Sequence, residues 1–117
     1  MSNDSQSDPS TADAVDPLRA RLSADLLVAM KARDKLVIDT LQCLLAVLDN
    51  AGAQDSKAFG SSTEVPRKSL THNEVRALMR AELLSRHAAV IEYERGGRHQ
   101  GAARLREELV LISRYIE

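Results

Sequence analysis

Residues 70–116, LTHNEVRALMRAELLSRHAAVIEYERGGRHQGAARLREELVLISRYI, decide the fold because they hold a helix start, a helix stop and a second helix. Thr71 and Glu74 have the spacing of a capping box, in which each side chain accepts a backbone N–H of the first turn. The helix that begins there should end near Arg95, because Gly96-Gly97 offers the left-handed residue that terminates helices. In the next segment, apolar residues recur at spacings of three and four, namely Ala102, Leu105, Leu109, Ile112 and Ile116. This seam predicts a second long helix, and two helices joined by two glycines predict an antiparallel αα-hairpin.

Two more helices are predicted before the hairpin. Asp16-Pro17 is a helix start signal, and the apolar residues after it predict a first helix that reaches about Ala32. The second helix is predicted over residues 35–51, where apolar side chains leave only a thin polar stripe. A helix that is apolar on nearly every side is either the central helix of a domain or part of a subunit interface. The predicted fold is therefore a small all-α domain, with a helical pair packed against the long hairpin.

The domain organisation follows from length and local composition. A chain of 117 residues supports one domain. Residues 1–15 are polar and acidic and are predicted to be a disordered tail, since they cannot bury enough apolar area to fold. Residues 16–117 are predicted to form a single helical domain. Within it, residues 52–69 combine Gly, Pro and small polar residues and are predicted to be a long flexible loop.

Composition excludes several classes of protein. Aromatic residues make up 3% of the chain, too few for a platform on which single-stranded nucleic acid could stack. A single cysteine, Cys43, excludes an intramolecular disulfide. The chain shows no signal peptide and no 18-residue apolar run, so we expect a cytoplasmic protein without a membrane segment. The net charge of −1 indicates no partner by itself.

The sequence offers no constellation of residues that would carry out chemistry. His72, His87 and His99 lack the spacing of helical metal ligands, so no metal site is predicted. Gly96-Gly97-Arg98 lacks the preceding strand and the further glycines of a phosphate-binding loop. No nucleophile has a base at a recognisable spacing, so we predict no catalytic residue and no cofactor.

The arginines of the third helix are the candidates for binding. Residues 17–117 carry 16 Lys and Arg against 13 Asp and Glu, a mildly basic body behind the acidic tail. Arg76, Arg80 and Arg86 are predicted as weak contacts to RNA phosphate; the alternative is a solvated face of mixed charge.

Arg86 also has a second interpretation. It lies one turn after Glu82, which is the spacing of a helical ion pair. An antiparallel hairpin places Arg86 opposite Glu107 or Glu108 on the fourth helix. A structural role for Arg86 is therefore favoured over one in binding.

The second helix supplies candidates for an interface. Its apolar residues Leu36, Val37, Cys43 and Val47 lie off the stripe that runs from Leu41 to Leu48. A contiguous exposed apolar patch on a monomer marks an interaction surface, so these residues predict a homodimer or another protein contact. In the alternative, the first helix and the hairpin cover them.

Several local patterns together resemble one family, the GatB/YqeY-like proteins. The resemblance begins with Asp25 and the run Ala29–Lys35, and continues with Leu70–Val75 at the start of the third helix. It then keeps its spacing without a gap through a further set of positions: Glu82, Arg86, Tyr93-Glu94, Gly97-Arg98, Glu108 and Tyr115-Ile116. The family usually continues into a small helical tail subdomain, so the resemblance is to a short member that lacks this tail.

The resemblance implies a structural motif and an association with tRNA. It implies family positions at Lys31, Asp34, Glu82, Arg86, Gly97, Arg98 and Glu108. The family is similar to the tail of the tRNA-dependent amidotransferase B subunit, which helps to hold tRNA, so the expected partners are tRNA or amidotransferase subunits. The favoured hypothesis is a non-catalytic accessory module. The alternatives are a component of a glutamine-dependent carbon–nitrogen ligase, as the family label implies, and a protein-interaction or oligomerisation module.

Overall fold

A computed structural model describes residues 15–58 and 70–116 of the chain, and within these ranges the protein is helical. The elements are α1, Val15–Ala32; α2, Lys35–Ala58; α3, His72–Arg95; and α4, His99–Ser113. No strand occurs in the described ranges, which confirms the predicted all-α fold. The predictions for residues 1–14 and 59–69 concern segments outside those ranges.

The corner between α1 and α2 is built on a left-handed residue that is not glycine. Arg33 has a φ of 56°. Its N–H donates to the carbonyl of Met30 at 3.2 Å, and the N–H of Asp34 donates to the carbonyl of Ala29 at 3.0 Å. This is the Schellman pattern, which satisfies carbonyls at the end of a helix. Asp34 then starts α2, because its Oδ1 accepts the N–H of Val37 at 3.3 Å.

The predicted capping box is present at the start of α3. Thr71 N–H donates to Glu74 Oε1 at 2.9 Å, and Glu74 N–H donates to Thr71 Oγ1 at 3.1 Å. Two backbone donors that the helix itself cannot pair are thereby satisfied. The prediction from local sequence is confirmed at this helix start.

The turn between α3 and α4 is the glycine stop that the sequence predicts. Gly97 has a φ of 76°, its N–H donates to the carbonyl of Glu94, and the N–H of Arg98 donates to the carbonyl of Tyr93 at 2.8 Å. Just beyond the turn, the Tyr93 ring lies against Gly101 and leaves no room for a Cβ there. The two helices therefore pack closely from the turn onward.

The core lies around α2, which contacts each of the other three helices. Six large side chains are fully buried, namely Leu22, Leu41, Leu44, Leu48, Met79 and Ile112. Three of them belong to α2, so the helix that is apolar on nearly every side occupies the centre of the fold. None of the helices in the described ranges has the length and hydropathy needed to cross a membrane.

Helix α2 is longer than its predicted range. It continues to Ala58, well beyond the predicted end at Ala51, so the connection to α3 begins later than Gly52. A glycine inside a helix costs only about 1 kcal/mol relative to alanine, and no proline or second glycine follows it before Gly60. The prediction of a loop over 52–69 is therefore wrong for residues 52–58, which are helical.

Candidate functional site

The half-buried polar cluster of the protein is centred on Arg86 of α3. Arg86 Nη1 donates to Glu82 Oε1 at 2.7 Å, and Arg86 Nε donates to Glu108 Oε1 of α4 at 2.8 Å. The exposed fractions of these side chains are 13% for Arg86, 22% for Glu82 and 14% for Glu108. The structure therefore brings Glu82, Arg86 and Glu108 together at the register that an antiparallel hairpin implies, and it selects Glu108 over Glu107.

A second layer of contacts ties this cluster to α2. Arg86 Nη2 donates to Cys43 Sγ at 3.6 Å, so the thiol lies inside the cluster. Arg104 donates to Glu108 Oε2 at 3.3 Å and to Asp39 Oδ2 of α2 at 3.2 Å. One chain of charged contacts thus joins α2, α3 and α4.

Electrostatics hold Arg86 in its charged form. Burial acts to lower the pKa of Arg86, but hydrogen bonds to Glu82 and Glu108 and the contact with Cys43 outweigh it and raise the pKa above the ordinary value. Hydrogen bonding to Lys35, aided by Arg104, holds the pKa of Asp39 below its ordinary value. The donors of Arg86 are used within the fold, so this arginine fastens the helices together.

The other two candidate arginines of α3 are in a different environment. Arg76 and Arg80 are exposed, one turn apart, and neither forms an ion pair with any residue in the described ranges. They share the outer face of α3 with Asn73, Ala77, Ala81 and Leu84. The structure therefore separates the three arginines that the sequence groups together, with two facing solvent and one facing α4.

A third polar group lies where the chain after α4 meets α1. The Tyr115 hydroxyl donates to Asp25, and the Arg21 guanidinium lies 4.7 Å from the centre of the Tyr115 ring. Arg21 Nη2 also donates to the carbonyl of Arg114 at 3.0 Å. Burial, with the hydrogen bond to Asp25, raises the pKa of Tyr115 to about 12.

Sequence reasoning did not predict this contact. Asp25 and Tyr115 both take part in the family resemblance, but they are 90 residues apart and no local spacing joins them. A covarying pair of positions is the kind of signal that could have revealed it.

The family of the chain is shown by a match to a family model. The family model described as "Yqey-like protein" matches residues 19–117. The chain belongs to the YqeY-like family. The match includes nearly all of α1 and the whole of α2, α3 and α4, which confirms the resemblance inferred from the local patterns. No curated protein matches the chain significantly.

The remaining motif positions of the YqeY-like chain lie mainly at corners. Asp34 starts α2, and Gly97 is the left-handed residue that ends α3. Arg98 has its guanidinium 5.3 Å from the centre of the Tyr93 ring, beside the same turn. Lys31 is exposed in the last turn of α1. These positions explain how the two helical corners are built.

The four interface candidates of the YqeY-like chain do not form one surface. Cys43 contacts Arg86, and Val37 and Val47 both pack against the core. Leu36 and Val37 line a groove between the start of α2 and the end of α4. Val110 of α4, which is 59% exposed, lies in the same groove. Of the four candidates, only Leu36 and Val37 therefore border an accessible apolar surface.

The His, Cys, Asp and Glu side chains in the described part of the YqeY-like chain are not clustered as metal ligands are. Within it, no group of three or more His, Cys, Asp or Glu side chains is placed to hold a metal ion. The half-buried carboxylates of Glu82 and Glu108 have Arg86 as their counter-ion.

Proposed function

We propose that this YqeY-like domain is a non-catalytic accessory module that binds RNA, with tRNA as the expected class, through exposed arginines of α3. The observation that carries the proposal is the state of Arg76 and Arg80, which are exposed and have no carboxylate counter-ion in the described ranges. By contrast, the Lys and Arg side chains that form ion pairs there are Arg19, Lys35, Arg86, Arg95, Arg104 and Arg106.

The physical reason is that a free guanidinium is a good ligand for phosphate. Its planar donors match phosphate geometry, and it is weakly hydrated, so it gives up water at low cost. Arg76 and Arg80 are four residues apart, which separates them by about 6 Å along the helix axis. Two such groups on one face can contact separate phosphates of one strand, and the neighbouring alanines leave the backbone of the RNA room to approach.

The proposal is tested by affinity for unmodified tRNA at about 50 mM salt, where phosphate contacts are strong. Arg76→Gln with Arg80→Gln is expected to weaken binding by about tenfold to a hundredfold, at roughly 1 kcal/mol or more per contact. Lys31→Gln with Arg95→Gln is the matched control, because it removes the same charge from exposed positions off this face. Equal losses for the two double variants would contradict the proposal.

The non-catalytic part of the proposal rests on the use of the central polar groups. Glu82, Arg86 and Glu108 satisfy one another across the hairpin. The family is associated with glutamine-dependent amidotransferases. In such an assembly, the chain would hold tRNA in the cytoplasm while other subunits carry out the chemistry. Purified protein is therefore expected to hydrolyse neither glutamine nor ATP. Turnover that survives repurification and is lost on changing one polar residue would show an enzyme instead.

A second candidate function is a protein contact, and the groove between α2 and α4 favours it. Leu36 and Val37 border this groove, and Val110 stands largely in solvent beside them. If a second copy of the chain covers the groove, Leu36→Glu with Val110→Glu should leave helical content intact and convert a dimer to a monomer in sedimentation. A wild-type monomer at about 50 μM, well above the dissociation constants of stable dimers, would reject this function.

A further inference from the structure

We infer that a cavity between α1, α3 and the chain after α4 binds a phosphate monoester: the terminal phosphate of an RNA strand or a free mononucleotide. The cavity has a volume of about 200 Å³. Its basic lining residues are Arg21 from α1 and His72 and Arg76 from α3. Among the described residues, no carboxylate lines it. The site is distinct from the outer face of α3, with which it shares only Arg76.

The basic groups of the cavity are presented for binding an anion. Arg21 is held by the Tyr115 ring on one side and by the Arg114 carbonyl on the other. One of its N–H groups is used in that hydrogen bond, and a guanidinium has five, so donors remain for a ligand. His72 and Arg76 lie one turn apart on α3, so their side chains are neighbours across the groove from Arg21.

The charge and shape of the cavity select the class of ligand. A phosphate monoester carries a charge of about −1.5 to −2 at pH 7, which matches the two arginines of the lining better than the single charge of a diester does. The inner wall is apolar, since Leu18, Val75 and Met79 line it and are buried. A cavity of about 150 Å³ admits a benzene ring, so this one has room for a phosphate with a small group attached. A nucleotide at the end of a strand, or a free one, has both parts.

The two sources of the phosphate monoester are separated by experiment. As the end of an RNA strand, the ligand rests on the proposed function; as a free mononucleotide, it does not. Two short single-stranded RNAs of one sequence, one with a 5′-phosphate and one with a 5′-hydroxyl, are titrated into the full chain. The same protein is titrated with AMP and with inorganic phosphate.

The wild type is expected to bind the 5′-phosphorylated RNA about tenfold more tightly, the effect of one or two added charge-assisted hydrogen bonds. Arg21→Ala and His72→Ala should each reduce this ratio strongly towards one and leave the affinity for the 5′-hydroxyl RNA almost unchanged, because Arg80 and the outer face remain. Arg98→Ala is the matched control, since it removes an arginine stacked on a tyrosine at the opposite end of the hairpin.

Equal affinities of the wild type for the two RNAs, together with no binding of AMP, overturn the inference, and so does a ratio that survives both Arg21→Ala and His72→Ala. If neither RNA binds, the proposed function fails, and the titration with AMP decides the inference. Binding of AMP that Arg21→Ala or His72→Ala removes supports the inference, and absence of AMP binding overturns it. Because Arg21 also packs on Tyr115, circular dichroism checks folding, and His72→Ala, at an exposed position, tests the cavity independently.

Discussion

Arg86 and the pair Arg76 and Arg80 lie on the same helix, but they have opposite surroundings. Arg86 faces α4 and donates to two carboxylates at 2.7 and 2.8 Å. Arg76 and Arg80 face solvent, with no counter-ion in the described ranges. Neither the residue type nor the helix on which it lies therefore determines the contacts that an arginine makes. The decisive factor is which face meets the second helix of the hairpin.

The largest expected effect is on the stability side of this comparison. Arg86→Ala would leave Glu82, a mostly buried carboxylate, without its cationic partner and would leave Glu108 with Arg104 alone. We expect the free energy of unfolding to fall by about 2–3 kcal/mol, somewhat less than for a fully buried ion pair. Urea denaturation followed by circular dichroism measures this loss. Arg104→Ala, at a half-exposed member of the same network, is the control and should cost less than about 1 kcal/mol.

The next largest effect concerns the hydrogen bond between Tyr115 and Asp25, which also joins distant parts of the chain. Tyr115→Phe removes a hydrogen bond to a carboxylate and should lower the free energy of unfolding by about 1–2 kcal/mol. Unlike Arg86, this contact is sensitive to alkali. The pKa of Tyr115 is raised to about 12 in the folded protein, above an ordinary value of about 10.

The sign of the pH dependence follows from that difference. Because the unfolded chain loses the Tyr115 proton first, the stabilisation is complete below about pH 10 and is lost as the pH rises towards about 12. Chemical denaturation across this range should show a steeper decline for the wild type than for Tyr115→Phe. Identical slopes for both proteins would mean that the Tyr115 hydroxyl does not titrate abnormally.

The two helical corners share one hydrogen-bond pattern but have different residues at the left-handed position. We expect a smaller effect on the free energy of unfolding there. Gly97 takes a φ of 76° without strain, whereas Arg33 takes a φ of 56° with a side chain. Gly97→Ala should therefore lower the free energy of unfolding by about 1 kcal/mol. Arg33→Gly should raise it by up to about 1 kcal/mol, since the relief of strain exceeds the added flexibility of the unfolded chain. Thermal denaturation of both variants measures the contrast, and a stabilising Gly97→Ala would contradict it.

Local sequence predicted much of the fold, and it missed a contact between distant segments. The capping box of Thr71 and Glu74 and the stop at Gly97 were predictable, because each depends on residues within one turn. The hairpin register placed Arg86 opposite Glu107 or Glu108, and the structure shows that the partner is Glu108. The contact of Tyr115 with Asp25 was not predictable, because it depends on how α1 packs against the chain after α4 and no local spacing joins residues that are 90 apart.

The candidate site was predictable only as a set of residues. Sequence placed Arg76, Arg80 and Arg86 together as phosphate contacts, since all three are arginines of one helix. Their division needed the position of α4. Arg21 was missed altogether, because its place beside His72 and Arg76 arises from chain segments that are far apart in sequence. The end of α2 was predicted too early, because Gly52 has the character of a helix stop although good helix formers follow it.

The most direct test of the central claim is the salt dependence of tRNA binding by the wild type, Arg76→Gln with Arg80→Gln, and Lys31→Gln with Arg95→Gln. Each phosphate contact contributes about one unit to the slope of log affinity against log salt. The account predicts that the first double variant loses about two units of slope and the second loses almost none, while both keep the unfolding free energy of the wild type within about 0.5 kcal/mol. A wild-type affinity that does not change with salt, or equal slopes for all three proteins, would contradict it.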